Sequence, residues 1–338
     1  MLKYLMIILS GSSVSFCHYE SRKTDKSRKD LMDYDDLKKT VVFALKNNLK
    51  VNVLYPRFKP DKRYDRLIDD VEHVKIVPYS LRKYYKDSIL CAEPKDLKRK
   101  DALKGLSNAN IILRLSVSEL KELKALTGKL SSHCSRINLV LRDMENLKKT
   151  DVTVYRNQIE KISKNIFAKK GEIAFPEMNF LTDRIMLDSM NNCGAGVSHV
   201  TAAPDGKLYV CPAFYYEGAD NAVGNIGSEP AIRNRRLLEI KYSPVCRICD
   251  AYQCRRCVYL NKKLTSEINI PSWQQCRTAH AEREASRLFL NKLKEIKYRG
   301  AAYREISEIN YDDPFEIAVK NKFSIQDFKY FNSNEKRK

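Results

Sequence analysis

The first 185 residues alternate strand text with helix text, and this alternation limits the fold more than any other property of the chain. "KYLMIIL" is a short apolar run of the kind a buried strand needs. "DDLKKTVVFALKNN" spaces its apolar residues for a helix, and "LKVNVLYP" returns to strand text. "HVKIVPY", "SILCAE" and "ANIILRLS" read as further strands. "VSELKELKALTGKL" reads as a helix capped by Ser116 or Ser118, packed on its apolar face with its lysines in water. "RINLVLRD" is the next strand and "VYRNQIEKISKNIF" the next helix. Strands that recur between helices pair in parallel through crossover connections. By itself the pattern fits a partial β/α barrel and an open sheet equally well. The 338 residues, 43% of them hydrophobic, suffice for a real core in one large or two ordinary domains.

The opening "MLKYLMIILSGSSVSFC" imitates a lipoprotein signal. Its apolar run, Leu5 to Leu9, is short for such a segment, and Phe16 precedes Cys17 where cleavage needs a small residue. It is read as a buried first strand. No other run approaches the roughly 20 apolar residues of a membrane span. The expectation is therefore a cytoplasmic protein with reduced thiols and no membrane partner. A formal charge of +20 favours an anionic partner, unless it is simply a lysine-rich solvated surface.

Ten cysteines are unevenly placed: Cys17, Cys91 and Cys134 are scattered, and the other seven lie between 193 and 276. "CRICDAYQCRRC" packs two CxxC pairs into Cys246–Cys257. Each pair sets two thiolates on one turn, close enough to share a metal. Upstream, "HVTAAPDGKLYVC" reads as a β-hairpin turning at Pro204-Asp205-Gly206. The register pairs Ala203 with about Lys207 and, continued outward, sets His199 opposite Cys211, with Cys193 on the entering loop. After Cys276, "RTAHAEREASRLFLNKLKEIK" is a long amphipathic helix, and a mixed segment with Tyr311, Phe315 and Phe323 leads to a loose end, "NSNEKRK".

The whole pattern is Cys193-x12-Gly206-x4-Cys211, a gap, then Cys246-x2-Cys249-x4-Cys254-x2-Cys257-x18-Cys276. It resembles the SPASM domain, the C-terminal module of radical S-adenosylmethionine peptide maturases; "GNI" at Gly224–Ile226 also fits. The knot is one residue shorter than that pattern between its second and third cysteines and between its third and fourth. The resemblance implies two auxiliary [4Fe–4S] clusters, one held by Cys246, Cys249, Cys254 and Cys276, the other by Cys193, Cys211 and Cys257. His199, six residues after Cys193, stands where a further cysteine often lies and is a tentative fourth ligand. Zinc suits the same donor sets.

A radical S-adenosylmethionine core also needs CxxxCxxC after its first strand, and here that register reads Ser10-x3-Val14-x2-Cys17. One thiolate cannot hold the radical-generating cluster, so binding of S-adenosylmethionine and autonomous radical catalysis are not expected. A degenerate core with this tail resembles the CXXX repeat peptide maturase family. The fold this implies is α/β: a radical SAM-like partial barrel over 1–188, a SPASM-like metal domain over 189–280, and a C-terminal helix and tail over 281–338. The function it implies is maturation of a ribosomally made cysteine-repeat peptide, with the precursor and a radical SAM maturase as partners. The alternative is a zinc protein that binds nucleic acid, supported by the charge and by Arg247, Arg255 and Arg256 around the knot. Against that alternative, the basic residues are spread and no recognised nucleic-acid-binding spacing is present. A nucleophile–base pair of Cys17 and His18 is disfavoured, because neighbours on a strand face opposite ways.

Overall fold

The computed structural model describes residues 2–21, 31–168, 174–298 and 303–306. Among them one ten-stranded sheet runs in the order β10-β9-β8-β1-β2-β3-β4-β5-β6-β7. The first seven strands are β1 (Tyr4–Ile8), β2 (Lys50–Leu54), β3 (His73–Pro78), β4 (Ser88–Ala92), β5 (Ala109–Leu115), β6 (Cys134–Leu141) and β7 (Glu177–Met178). Each is parallel to the next. The helices are α1 (Tyr34–Lys46), α2 (Lys62–Ile68), α3 (Pro94–Leu97), α4 (Leu123–Leu130), α5 (Lys149–Phe167), α6 (Asp183–Met186), α7 (Pro212–Glu217), α8 (Val258–Thr265) and α9 (Trp273–Glu295).

Spatial order follows chain order from β1 to β7, and this separates a barrel from a doubly wound sheet. Crossovers of one hand that always step the same way return on one face, so their helices line that face and the sheet curls around the other. A doubly wound sheet would reverse direction part-way. The order ends at β7 on one side and β10 on the other, which leaves the barrel partial. β1 takes a central place because "LMIIL" is buried throughout, as a parallel strand covered on both faces requires.

The helices bury the faces their spacing sets out. α1 buries Leu37, Val41 and Ala44, and Asp33 caps it by accepting from Asp35 N at 2.8 Å. α5 buries Val152, Tyr155, Ile159, Ile162 and Ile166. It packs on α9, where the Phe167 and Phe289 rings lie 5.1 Å apart. The helix expected from Val117 instead opens with a 3-10 stretch, Val117–Glu122, and becomes α-helical at Leu123. Ser116 is its first boundary, with its amide bonded to Glu119 Oε2 at 2.8 Å. Leu120, Leu123, Leu126 and Leu130 are buried there while Lys121, Lys124 and Lys129 are exposed, so this is a packed helix with solvated lysines.

β8 (His199–Ala202) lies parallel beside β1, and β9 (Lys207–Tyr209) folds back antiparallel on it. β10 (Ala222–Asn225) extends the sheet antiparallel to β9. Ala202 pairs with Leu208, Thr201 with Tyr209, and Ala203 N donates to Lys207 O at 3.0 Å, the register expected from the turn. Gly206 sits at φ +76°. A Cβ there meets only Asp36 Oδ2, at 3.4 Å, so the constraint is the backbone conformation rather than space. Gly206→Val should therefore cost about 1–2 kcal/mol, seen in thermal melts as a fall in Tm of about 1–3 °C.

The chain divides into two compact units, Met1–Arg304 and Glu305–Lys338; residues 305 and 306 of the second are described. The position 188/189 falls between β7 and β8, and the sheet continues across it through β8 and β1. Tyr311, Phe315, Phe323 and "NSNEKRK" lie outside the described residues. Among the described residues no helix is long and apolar enough to cross a membrane.

Candidate metal centre

All ten cysteines are free thiols, and the seven of the tail plus one from the front half fall into two groups. In the first, the interaction with Cys257 holds the Cys17 thiol well below its usual range, and the same interaction with Cys17, together with burial, pushes Cys257 well above it. Cys257 also feels the charges of Cys193 and Cys211. Burial raises Cys193 to about 11, and the nearby Cys17 charge adds to this. Burial also raises Cys211, with Cys193 and Cys17 contributing. Cys211 stands at the N-cap position of α7, where its carbonyl accepts from Phe214 N at 3.1 Å.

Cys193 reaches this group through a tight turn. Gly194 sits at φ +71°, and Ser198 N and Val197 N donate to its carbonyl at 2.8 and 3.0 Å. A Cβ on Gly194 would lie 2.2 Å from the rotatable Ser198 Oγ, so the positive φ rather than space is what favours glycine at the turn. The loop is tied to the knot where Asn191 N donates to Tyr252 O at 2.8 Å.

The second group is Cys246, Cys249, Cys254 and Cys276. Burial pushes the Cys254 thiol well up, and the charges of Cys246, Cys276 and Cys249 push it further. Cys276 lies in the first turn of α9. One turn on, His280 Nε2 lies 3.8 Å from Cys249 Sγ. The cysteine pattern passes over His280, although its spacing of four from Cys276 puts both on one helix face. His199, the tentative ligand, is buried on β8. Burial alone pulls its pKa down to about 4, so its imidazole is neutral at pH 7.

The arginines of "CRRC" face inward as well as outward. Arg256 is fully buried and donates to Leu238 O at 2.7 Å and Leu237 O at 3.1 Å. It lies within the field of Cys246, Cys193, Cys254 and Cys257, between the two groups. Arg255 is exposed and adds positive charge near Cys17 and Cys193. Arg256 is thus unavailable to phosphate, which removes one residue from the case for nucleic acid. A second buried cation anchors the knot: Arg283 of α9 clamps Asp250 with Nε contacts of 2.7 and 2.8 Å and an Nη2 contact of 2.5 Å. Arg184 approaches the same carboxylate at 3.5 Å and stacks over Tyr252.

The front loop is built differently. Ser10, Ser12, Ser13 and Ser15 are buried, and their hydroxyls close the loop on itself. Ser10 N donates to Ser13 Oγ at 3.0 Å, Ser13 Oγ to Leu54 O at 2.7 Å, and Ser21 N to Ser15 Oγ at 2.7 Å. At the three positions where a CxxxCxxC triad would present thiolates, this chain carries Ser10, Val14 and Cys17, a single thiol. His18 Nδ1 donates to Leu141 O at 2.8 Å. Cys91 and Cys134 are ordinary buried thiols, each raised to about 12 by burial. A cavity of about 200 Å³ opens beside the front loop, lined by Val14, Arg57, Tyr79, Cys91, Glu93 and Arg114 from β1 to β5 and the loops that follow them.

No family model matches the sequence, and no curated protein matches it. Solved structures do. One of them, described as "Native anSMEcpe with bound AdoMet and Cp18Cys peptide", is similar with a TM-score of 0.57 at 12% identity, over 86% of this chain and 99% of that one. The fold is a degenerate radical SAM-like partial barrel with a SPASM-like tail. In these terms, the first thiol group joins the radical SAM-like loop to the SPASM-like hairpin and knot, and the second lies within the knot and α9.

The donor sets can be tested against the group they would hold. Among the described residues, no three His, Cys, Asp or Glu side chains stand close enough to grip a single ion. Zinc draws its thiolates to about 2.3 Å from itself, so either group would have to close up around zinc. An iron–sulfide cube is wider than one ion and fills space between more distant thiolates. Buried thiols beside a buried arginine suit such a cluster.

Proposed function

We propose that this protein serves the maturation of a ribosomally made cysteine-repeat peptide, as a member of the CXXX repeat peptide maturase family. It would bind the precursor and a partner radical SAM maturase, and carry two auxiliary [4Fe–4S] clusters. The observation that carries the reading is the grouping of thiols. Cys246, Cys249, Cys254 and Cys276 gather around the knot, while Cys193, Cys211 and Cys257 gather apart from them, with Arg256 between. His199 and His280 are the imidazoles nearest in role. Bound clusters supply electron transfer or structural support; the chain's part is to hold them, exclude water and balance their charge.

The serine-rich front loop supports a protein that depends on a partner for radical generation. The similar solved structure is described with AdoMet and a cysteine-containing peptide bound. For this chain the cavity at the barrel supplies the peptide site, with Arg57 in its lining. The charge of +20 favours an acidic leader peptide.

Anaerobic purification tests the reading. The expected protein is brown, with sulfide-to-iron absorption near 400 nm and roughly eight irons per chain, four in each cluster. It leaves S-adenosylmethionine uncleaved when reduced alone. A colourless chain holding stoichiometric zinc would support the nucleic-acid alternative instead, and robust cleavage by the isolated chain would refute the dependence on a partner.

A further inference from the structure

We infer that the exposed face of residues 233–255, beside the cysteine knot, docks an acidic peptide. That this peptide is the precursor rests on the maturation reading above. The face then gives its acidic part a site apart from the barrel cavity, none of whose lining residues lie in this segment.

Arginine is concentrated here. From Arg233 to Arg256 the chain has six arginines and one lysine, whereas the whole chain has 24 arginines and 38 lysines. Arg256 is buried, and Arg235 donates to Val197 O. Arg233, Arg236, Arg247 and Arg255 are exposed, and among the described residues none of them forms an ion pair. Both carboxylates of the segment are already taken: Glu239 by Lys241 at 2.9 Å, and Asp250 by Arg283. Four guanidiniums are left in water without a counter-charge. Like charges gathered in one place repel, and a partner that brings anions relieves this. Guanidinium forks meet carboxylates two bonds at a time.

The backbone orders these groups along one surface. Asn234 takes a left-handed φ of +49°, which asparagine tolerates, and turns the chain between Arg233 and Arg235. Three short 3-10 turns follow, Arg235–Leu238, Ile240–Tyr242 and Cys246–Ile248. They are joined by Glu239 N to Arg236 O at 3.1 Å, Ser243 N to Ile240 O at 2.9 Å and Arg247 N to Ser243 O at 3.2 Å. The buried Arg256 holds the carbonyls of Leu237 and Leu238, which ties its neighbour Arg255 to the first turn. A face ordered in advance loses little freedom on binding.

The same turns expose Leu237, Tyr242 and Ile248, by 37%, 42% and 72%. One exposed isoleucine means little. Apolar side chains set among unpaired arginines, with lysine scarce, have the composition of a protein interface. They also decide between anions. The phosphates of a nucleic acid would use the guanidiniums but leave Leu237 and Ile248 in water, with Tyr242 the one exposed ring of the segment for a base. A peptide that alternates acidic and apolar side chains uses both kinds of group.

The test uses the full chain, purified anaerobically, and fluorescence anisotropy with two labelled probes: a peptide of alternating Glu and Leu, and a single-stranded RNA. Arg233→Glu with Arg236→Glu should weaken peptide binding about tenfold, because two attractions become repulsions, and should flatten its salt dependence. Ile248→Ser should weaken it about threefold and keep the wild-type salt dependence. Lys121→Glu with Lys124→Glu makes the same change of net charge on exposed positions of α4 and should stay within about twofold, since distant charges are screened. Equal losses in the two double variants would overturn the face, because net charge alone would then explain binding. RNA held more tightly than the peptide, and lost with Arg233 and Arg236, would overturn the peptide as occupant. Iron content reads the maturation proposal separately. A chain without iron that still binds the peptide through this face would overturn that function and uphold the face; an iron-loaded chain that ignores the peptide would do the reverse.

Discussion

Asp250→Ala should lower the stability of the protein by about 3–5 kcal/mol, the usual cost of stranding a buried charge by removing its partner. Asp250 is 7% exposed and Arg283 is 8% exposed. The Arg283 guanidinium meets both carboxylate oxygens, and Arg184 leans on the same group at 3.5 Å. Removing the carboxylate leaves two buried guanidiniums facing each other. Thermal melts should then show a fall in Tm of about 4–8 °C for a chain of this size. The double variant Asp250→Leu with Arg283→Leu should recover much of the loss, because an apolar pair carries no unpaired charge. Asp250 directly follows Cys249, and Arg283 lies two turns beyond Cys276, so this clamp positions two thiols of the knot group. Iron content should fall in Asp250→Ala along with stability. An unchanged melt would show that the clamp contributes nothing.

The second large effect is a pH dependence centred on Glu282. Burial pushes this carboxyl up from 4.5 to about 7, against the hydrogen bonds from Tyr155 Oη at 2.6 Å and Gln253 Nε2 at 3.3 Å. A group with a raised folded pKa binds a proton in the native state that the unfolded state has already released. Its contribution is therefore fully present below pH 4.5 and is lost as pH rises towards 7. The whole swing is at most roughly 3 kcal/mol. Glu282→Gln supplies an equivalent donor at every pH, so its stability should not fall across that window. His199 works in the opposite sense: its pKa is lowered to about 4, so its contribution is lost as pH falls from 6.5. Urea titrations of wild type and Glu282→Gln from pH 4.5 to 8 isolate the carboxyl by difference. Parallel curves would dismiss Glu282 as the titrating group.

Much of the architecture is legible in the residues themselves. Strands and helices answer to local periodicity, and local periodicity is printed in the chain. "KYLMIIL", "DDLKKTVVFALKNN" and "VYRNQIEKISKNIF" form β1, α1 and α5 with small changes at the ends. The hairpin register can be read because Gly206 permits a positive φ and fixes the turn, after which pairing follows by counting. The 3-10 opening at Val117 is not legible, since the Ser116–Glu119 and Val117–Asp143 contacts that set it up depend on tertiary placement.

The site divides along the same line. The chain by itself determined the α/β elements, the turn at Gly206 and a tail whose cysteines are spaced for sharing inorganic centres. Tertiary structure alone decided that the strands wind one way into a partial barrel, because periodicity carries no information about spatial order. It alone buried Arg256 between the two thiol groups and set His280 beside Cys249. It alone stacked Tyr19 on Tyr216. Residues so far apart in sequence become neighbours only through the packing of everything between them, and no local pattern records that.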